Sequence, residues 1–154
     1  MKYLFSLLFL SASVICFSCD SKETPKETAN TVVAEKTYTE VEKEAIVAAE
    51  AWLKLIDSEQ YEKSWDESAE LFQNAIGKED WASTVKGVRS KYGKLKKREL
   101  MSAKYTTTIP GGPDGEYVVI HFVAKLEQKD RAVETVTPLK GDDGKWHVSG
   151  YFIK

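Results

Sequence analysis

The feature that most constrains this sequence is one change in the spacing of its apolar residues, which falls at Gly93. Before Gly93, apolar residues recur every three or four positions among Glu and Lys, and this spacing predicts amphipathic helices. After Gly93, apolar and polar residues alternate, and this spacing predicts strands. Helices followed by strands favour the α+β class, with three N-terminal helices packed on a curved, four-stranded antiparallel sheet.

Three helices are predicted before Gly93. The first begins after Thr39, because "TEVE" is a capping box in which Thr39 and Glu42 bond each other's backbone. The second spans "YEKSWDESAELF", and the third spans "KEDWASTVKGVRSKYG", where Gly93 is expected to end the helix. Aromatic residues mark their apolar faces: Trp52 on the first helix, Tyr61, Trp65 and Phe72 on the second, and Trp81 and Tyr92 on the third.

Four strands are predicted at about residues 95–108, 116–126, 132–140 and 145–153, joined by loops short enough for antiparallel hairpins. Both sides of "EYVVIHFVAKL" are largely apolar, so this strand is expected to be central and covered on both faces. Phe122 lies on the side of this strand that is expected to face the helices.

The last strand, "KWHVSGYFIK", contains a glycine. Simple alternation places Trp146, Val148 and Phe152 on the inner side and Tyr151 on the outer side. Gly150 in a strand interior indicates a bulge or a close approach of another backbone.

The first residues, "MKYLFSLLFLSASVICFSC", have the organisation of an export signal, with Lys2 followed by an apolar run. The run is shorter than the roughly 20 residues of a transmembrane helix. A redox C-x-x-C would need a βαβ context, and a zinc site would need further ligands. Ser18 directly before Cys19 resembles the lipobox of bacterial lipoproteins, although an ordinary cleaved signal is the alternative. Cleavage before Cys19 would leave that cysteine as a lipidated N-terminus and would remove Cys16.

These patterns predict the organisation of the chain. Residues 1–18 are a lipoprotein signal peptide, residues 19–38 are a flexible tether that begins with lipidated Cys19, and residues 39–154 are a single domain. The protein is expected in the bacterial cell envelope, with the outer membrane favoured over the inner one. A formal net charge of −2 and a pI near 5.8 do not fit a nucleic-acid-binding protein.

Several segments together resemble one bacterial family, the domain-of-unknown-function group four-zero-one-nine. They are "AEAWLKLIDSEQYEKSWDESAELF", the Trp of "KEDWASTV", "RSKYGKLKKREL", "PGGPDGEYVVIHF" and "GKWHVSGYFIK". The resemblance covers roughly residues 45–154. It implies a cystatin-like, or nuclear-transport-factor-two-like, α+β cone in a secreted or lipoprotein setting. It implies no activity, because the family has none assigned.

A cone of this kind can enclose a pocket between its helices and its sheet. Aromatic residues at helical spacing are more often core than pocket, and both interpretations are open for the inner aromatic residues here. Asp or His residues do not fall clearly among the inner positions, so the sequence predicts no catalytic residue, no metal site and no cofactor. The candidates for lining a pocket are Trp52, Tyr61, Trp65, Trp81, Tyr92, Phe122 and Trp146.

Other polar residues have a functional and a structural interpretation. His121 and His147 are expected on the outer sheet face, as a metal pair or as part of a homodimer contact. Asp114, Asp142 and Asp143 form an acidic rim or are simply turn formers. In "KYGKLKKREL", the basic residues contact anionic lipid or form a solvated strand edge that Lys protects from pairing.

The leading functional hypothesis is a lipid-anchored envelope protein that binds a protein or a small apolar ligand without catalysis. One alternative is an isomerase-like or hydrolase-like enzyme, which would need an ionisable residue with a perturbed pKa inside the cone. A second alternative is a structural scaffold that dimerises through the outer face of the sheet.

Overall fold

The computed structural model describes residues 37–154 and confirms the α+β class. Four helices precede a four-stranded antiparallel sheet in which the strands follow the order β1-β2-β3-β4. The elements are α1 (Glu40–Asp57), α2 (Tyr61–Asp66), α3 (Glu70–Ala75), α4 (Lys78–Tyr92), β1 (Leu95–Thr106), β2 (Tyr117–Leu126), β3 (Lys129–Lys140) and β4 (Trp146–Ile153).

The predicted capping box starts α1. The Thr39 side chain accepts a hydrogen bond from the Glu42 N–H (3.3 Å), and the Glu42 carboxylate accepts one from the Thr39 N–H (2.9 Å). The same carboxylate also accepts from the Tyr105 N–H (3.1 Å) in β1. One side chain therefore satisfies the first turn of α1 and ties that turn to the edge of the sheet.

The second predicted helix is two helices, so the expected count of three is wrong. The chain leaves helical geometry at Ala69, where φ is −61° and ψ is 149°. The Ala69 N–H donates to the Val148 carbonyl of β4 (2.9 Å). This bond satisfies one backbone acceptor on an edge strand, and it separates α2 from α3 although the apolar residues keep their spacing.

The sheet is a meander, as predicted, with small differences at the ends of its strands. The loop expected between the strands predicted at 116–126 and 132–140 is a two-residue turn, because Leu126 pairs directly with Lys129. β3 therefore starts three residues earlier than expected. At the other end of the sheet, the β1–β2 connection covers Tyr117, whose hydroxyl donates to the Pro113 carbonyl (2.8 Å).

Gly150 marks a β-bulge, which is one of the two features that its position in the strand indicated. Thr137 pairs with Gly150 and Pro138 pairs with Val148, so Ser149 is the extra residue. The extra residue reverses the alternation in the rest of β4. Tyr151 therefore packs against the core and Phe152 is 60% exposed, so the predicted orientations of these two residues are wrong.

The main core lies between the helices and the inner face of the sheet. Val118, Ile120 and Phe122 of β2 are buried there against α1. The outer face of β2 is less covered than expected, since Val119, His121 and Val123 are half-buried. Among the helices of residues 37–154, none combines the length and the apolar character needed to cross a membrane.

The tryptophan N–H groups of the core have polar partners. Trp81 donates to the Ser64 hydroxyl (2.9 Å). Trp52 donates to the Ser64 carbonyl (2.7 Å) and to the Ser68 hydroxyl (3.0 Å). The two serines of the α2 segment thus satisfy both indoles, which fixes α2 between α1 and α4.

Candidate functional site: a buried charge network beside an open cleft

Two arginines and two carboxylates alternate under the helical layer. Arg98 in β1 donates three hydrogen bonds, two to Asp57 (2.7 and 3.0 Å) and one from Nε to Glu134 Oε2 (2.6 Å). Arg89 in α4 donates to Asp57 Oδ1 (2.8 Å) and to Glu134 Oε1 (3.1 Å). Tyr151 in β4 adds a hydrogen bond to Glu134 Oε1 (2.8 Å). The network thus connects α1, α4, β1, β3 and β4.

The network is removed from water to different degrees. Glu134 is fully buried, Arg89 is 6% exposed, Arg98 is 12% exposed and Asp57 is 20% exposed at the side chain. Buried ions are costly unless paired and hydrogen-bonded. Here two positive and two negative charges balance. Among the described residues, no buried side-chain nitrogen or oxygen lacks a hydrogen-bond partner.

The pKa values of two members follow from these contacts. Burial lowers the pKa of Arg98, but its hydrogen bonds and charge attraction to Asp57 and Glu134 outweigh burial, so the net shift is upward. Burial raises the pKa of Tyr151, and the negative charge of Glu134 raises it further. Arg98 is therefore charged and Tyr151 is neutral at physiological pH. Arg98 therefore donates to Asp57 and Glu134, and the Tyr151 hydroxyl donates to Glu134.

Sequence reasoning missed this network. It placed no carboxylate inside the fold and counted Arg98 among the solvated basic residues. A signal was present in the spacing, because charged residues stand at positions that their apolar neighbours assign to a buried face. Glu134 stands between Ala132 and Val136 on the inner face of β3, and all three are buried. Arg89 follows Val85 by four residues on the buried face of α4.

Two open clefts lie where the turn between α1 and α2 faces α4, and the smaller one adjoins the network. Their volumes are about 720 Å³ and 280 Å³. Glu59, Tyr61 and Lys86 line both clefts, and the smaller one also reaches Asp57 and Arg89. We call this region the Tyr61 cleft. Its three shared residues bring a carboxylate, a hydroxyl and an ammonium group to one surface.

These three groups have no partner among residues 37–154. Neither the Tyr61 hydroxyl, nor the Glu59 carboxylate, nor the Lys86 ammonium forms a hydrogen bond or ion pair there. Tyr61 is 9% exposed, so its ring is packed while its hydroxyl borders the cleft. Burial raises the pKa of Tyr61, and the charge of Glu59 raises it further. The hydroxyl is therefore neutral and can donate to a ligand.

The rim of the cleft holds strained backbone. Glu59 has φ 61°, and it is the one non-glycine among the described residues with positive φ. The Gln60 N–H donates to the Leu55 carbonyl (2.8 Å) and the Glu59 N–H to the Ile56 carbonyl (3.1 Å). This pattern is a Schellman helix end, where glycine is the usual residue at the left-handed position. Glu at this position carries about 1–2 kcal/mol of backbone strain that glycine avoids.

Glu59→Gly is expected to raise the free energy of unfolding by about 0.5–1 kcal/mol, because relief of the strain exceeds the added entropy of the unfolded chain. Urea unfolding measures the change. Glu62→Gly, at an exposed position inside α2, is the control and should lower stability by about 1 kcal/mol. A Glu59→Gly variant that is less stable than the parent contradicts the assignment of strain.

The structure separates the predicted pocket residues. Trp52, Tyr61, Trp81, Phe122 and Trp146 belong to the buried core between helices and sheet. Among these five, Tyr61 lines the Tyr61 cleft, whereas Trp52 and Trp146 border a different surface cleft of about 420 Å³.

The other two predicted pocket residues lie further out. Trp65 packs against the core while half-buried, and its N–H donates to the Ile76 carbonyl (2.7 Å). Tyr92 packs in a second, smaller cluster that includes Leu126 and Ile153. The seven candidates do not converge on one cavity. Cys19 lies outside the described residues.

The histidines and the acidic turns are apart from the Tyr61 cleft. β3 lies between β2 and β4, so His121 and His147 are not on adjacent strands. His147 Nε2 lies 3.1 Å from Asp143 Oδ2. Asp114 and Asp142 do border one cleft at the loop end of the sheet. Within residues 37–154, no group of His, Cys, Asp or Glu has the arrangement of a metal site.

Comparison with protein families identifies the group to which this sequence is related. A family model described as "Protein of unknown function (DUF4019)" matches residues 48–151. The chain belongs to this family. The DUF4019 match includes all five residues of the charge network and the three shared residues of the Tyr61 cleft. No curated protein matches the chain.

Proposed function

We propose that this DUF4019 protein is a lipid-anchored envelope protein that binds a small polar ligand in the Tyr61 cleft without catalysing a reaction. The observation that carries the proposal is the set of unpaired groups on Glu59, Tyr61 and Lys86 at one surface. Binding sites combine a formed concavity with a few convergent polar groups. The sequence favoured an apolar ligand, but this cleft is lined mostly by polar side chains.

The charges of the cleft indicate the class of ligand. Lys86 can pair with a carboxylate, and the neutral Tyr61 hydroxyl can donate to the same group. Glu59 can pair with an ammonium group. A small zwitterion, such as a free amino acid or the end of a short peptide, supplies both charges. Binding of such a ligand would neutralise Glu59 and Lys86 together.

The charge network supports a binding role over acid–base chemistry. Glu134 accepts hydrogen bonds from Arg89, Arg98 and Tyr151, and Asp57 accepts three from the arginines. These bonds direct the oxygens of both carboxylates towards protein donors and not towards a ligand. The helical layer over an antiparallel meander also supports the proposal that the fold is a nuclear-transport-factor-two-like cone. In this cone the network would hold together the helices and strands that lie behind the cleft.

A calorimetric titration with a panel of free amino acids and dipeptides tests the ligand class. We expect saturable binding by some members of the panel and at least about a tenfold weaker affinity for Lys86→Ala, because a charge-assisted hydrogen bond contributes about 1.5–3 kcal/mol. Lys54→Ala, at an exposed position of α1, is the matched control. No binding by any zwitterion, or equal loss in the two variants, contradicts the proposed site.

The anchor is tested separately by Cys19→Ser. We expect this change to abolish acylation, because serine lacks the thiol that carries the lipid. Without its acyl chains the protein should move from the membrane fraction to the soluble fraction. Cys16→Ser is the control and should leave both properties unchanged. Mass spectrometry of the mature N-terminus and cell fractionation give the readout. An unmodified N-terminus in the parent protein refutes the anchor.

A further inference from the structure

One end of the domain is strongly basic. The end of α4, the start of β1 and the β2–β3 turn meet there through backbone hydrogen bonds, and Lys154 exchanges two such bonds with Val133. We define the basic end as residues 91–97 and 125–131 with Lys154. It contains eight Lys or Arg residues and two acidic residues, whereas the whole chain has a formal net charge of −2.

Most of these charges are not neutralised by neighbours. Lys97 pairs with Glu99 and Lys125 pairs with Asp130. The other six basic side chains of the basic end form no ion pair within residues 37–154. Five of these six are exposed, and Lys129 lies over the Tyr92 ring. The basic end therefore projects a positive potential into solvent.

An exposed aromatic residue lies beside this charge. The bulge at Gly150 turns Phe152 outward, and it is 60% exposed, two residues before Lys154. An aromatic ring next to Lys and Arg side chains is typical of surfaces that lie in a lipid headgroup layer. A single-stranded nucleic acid would need a row of exposed rings on which its bases stack. This surface presents a single exposed ring, that of Phe152.

We propose that the basic end and Phe152 form a surface that docks on an anionic phospholipid bilayer. The proposal rests on the proposed anchor at Cys19. The segment from Cys19 to Thr37 can span at most about 60 Å, so the bilayer is close to the domain at all times. Linkage of this kind raises the effective concentration of the surface, and weak electrostatic attraction is then sufficient to orient the domain.

Site-specific labelling of the full chain, as it is isolated from cells, tests the docking. A polarity-sensitive dye is attached through Phe152→Cys, or through Val47→Cys on α1 as the control, because Val47 has a similar exposure of 67%. The chain is reconstituted with vesicles of phosphatidylcholine alone or mixed with phosphatidylglycerol. On anionic vesicles we expect acrylamide to quench the dye at position 152 about threefold less than the dye at 47, and salt near 0.5 M to remove the difference.

Charge reversal identifies the residues responsible. Lys96→Glu, Arg131→Glu and Lys154→Glu together should abolish the protection of the dye at position 152. The same charge change through Lys43→Glu, Lys104→Glu and Lys145→Glu, all exposed and outside the basic end, should leave it intact. Equal effects of the two triple variants overturn the assignment to this surface.

The outcomes separate docking from anchoring. A chain that floats with the vesicles but leaves both dyes equally accessible overturns the docking and retains the anchor. A chain that floats with anionic vesicles alone, with the dye at position 152 protected, supports the docking and overturns the anchor. A chain that floats with neither kind of vesicle overturns both.

Discussion

Glu134→Gln is expected to lower the free energy of unfolding by about 3–5 kcal/mol, because it leaves two buried arginines with half of their negative partners. The amide would also place a donor NH₂ group where Glu134 accepts from Arg98 Nε (2.6 Å) or from Arg89 and Tyr151. Urea unfolding followed by circular dichroism measures the loss. Typical domains are stable by about 5–15 kcal/mol, so the variant should fold with a measurable transition.

Glu99→Gln is the matched control for this experiment. Glu99 lies on β1 of the same sheet and pairs with Lys97, but its side chain is 62% exposed. An exposed pair contributes about 0–1 kcal/mol, so the same chemical change should have little effect there. If Glu134→Gln costs no more than Glu99→Gln, the network does not stabilise the fold and its burial needs another explanation.

Trp81→Ala is expected to destabilise the domain by about 3–5 kcal/mol. Trp81 is 6% exposed, and its ring packs edge-on against Phe72 with centroids 4.9 Å apart. It also contacts Trp52 and Tyr151 at 5.9 Å and 6.2 Å. Truncation would open a cavity in the core. It would also remove the indole N–H that donates a hydrogen bond to the Ser64 hydroxyl. The same unfolding experiment measures the effect.

Trp65→Ala distinguishes the two interpretations of the aromatic residues. Trp65 is half-buried, so its truncation should cost clearly less than truncation of Trp81. If Trp81→Ala left the unfolding midpoint unchanged, Trp81 would line an open pocket and the predicted pocket within the cone would regain support.

The sequence predicted the parts of the fold that local chemistry decides. The capping box at Thr39, the end of α4 at Gly93 and the bulge at Gly150 each depend on a few neighbouring residues. The break between α2 and α3 was not predictable in this way. It depends on the Ala69 N–H bond to Val148, which the fold brings close although the two residues are far apart in sequence.

The candidate site shows the same division. Tyr61 was named from its helical spacing, yet its role at the cleft follows from the turn at Glu59, which has no sequence signal because Glu rarely takes positive φ. The charge network was hidden by composition, since Arg98 stands among lysines that are exposed. The bulge was predicted without its consequence, which is that Tyr151 reaches Glu134 while Phe152 faces solvent.

The Tyr61 cleft is proposed to bind a small zwitterion. The most direct measurement is a titration of the isotope-labelled protein with the same amino-acid panel, followed by backbone amide chemical shifts in NMR. We expect the shifts to concentrate at residues 56–66, 82–94 and Glu127, which line the two clefts, and to saturate together. Shifts that saturate elsewhere on the domain, or no shifts with any member of the panel, would contradict this proposal.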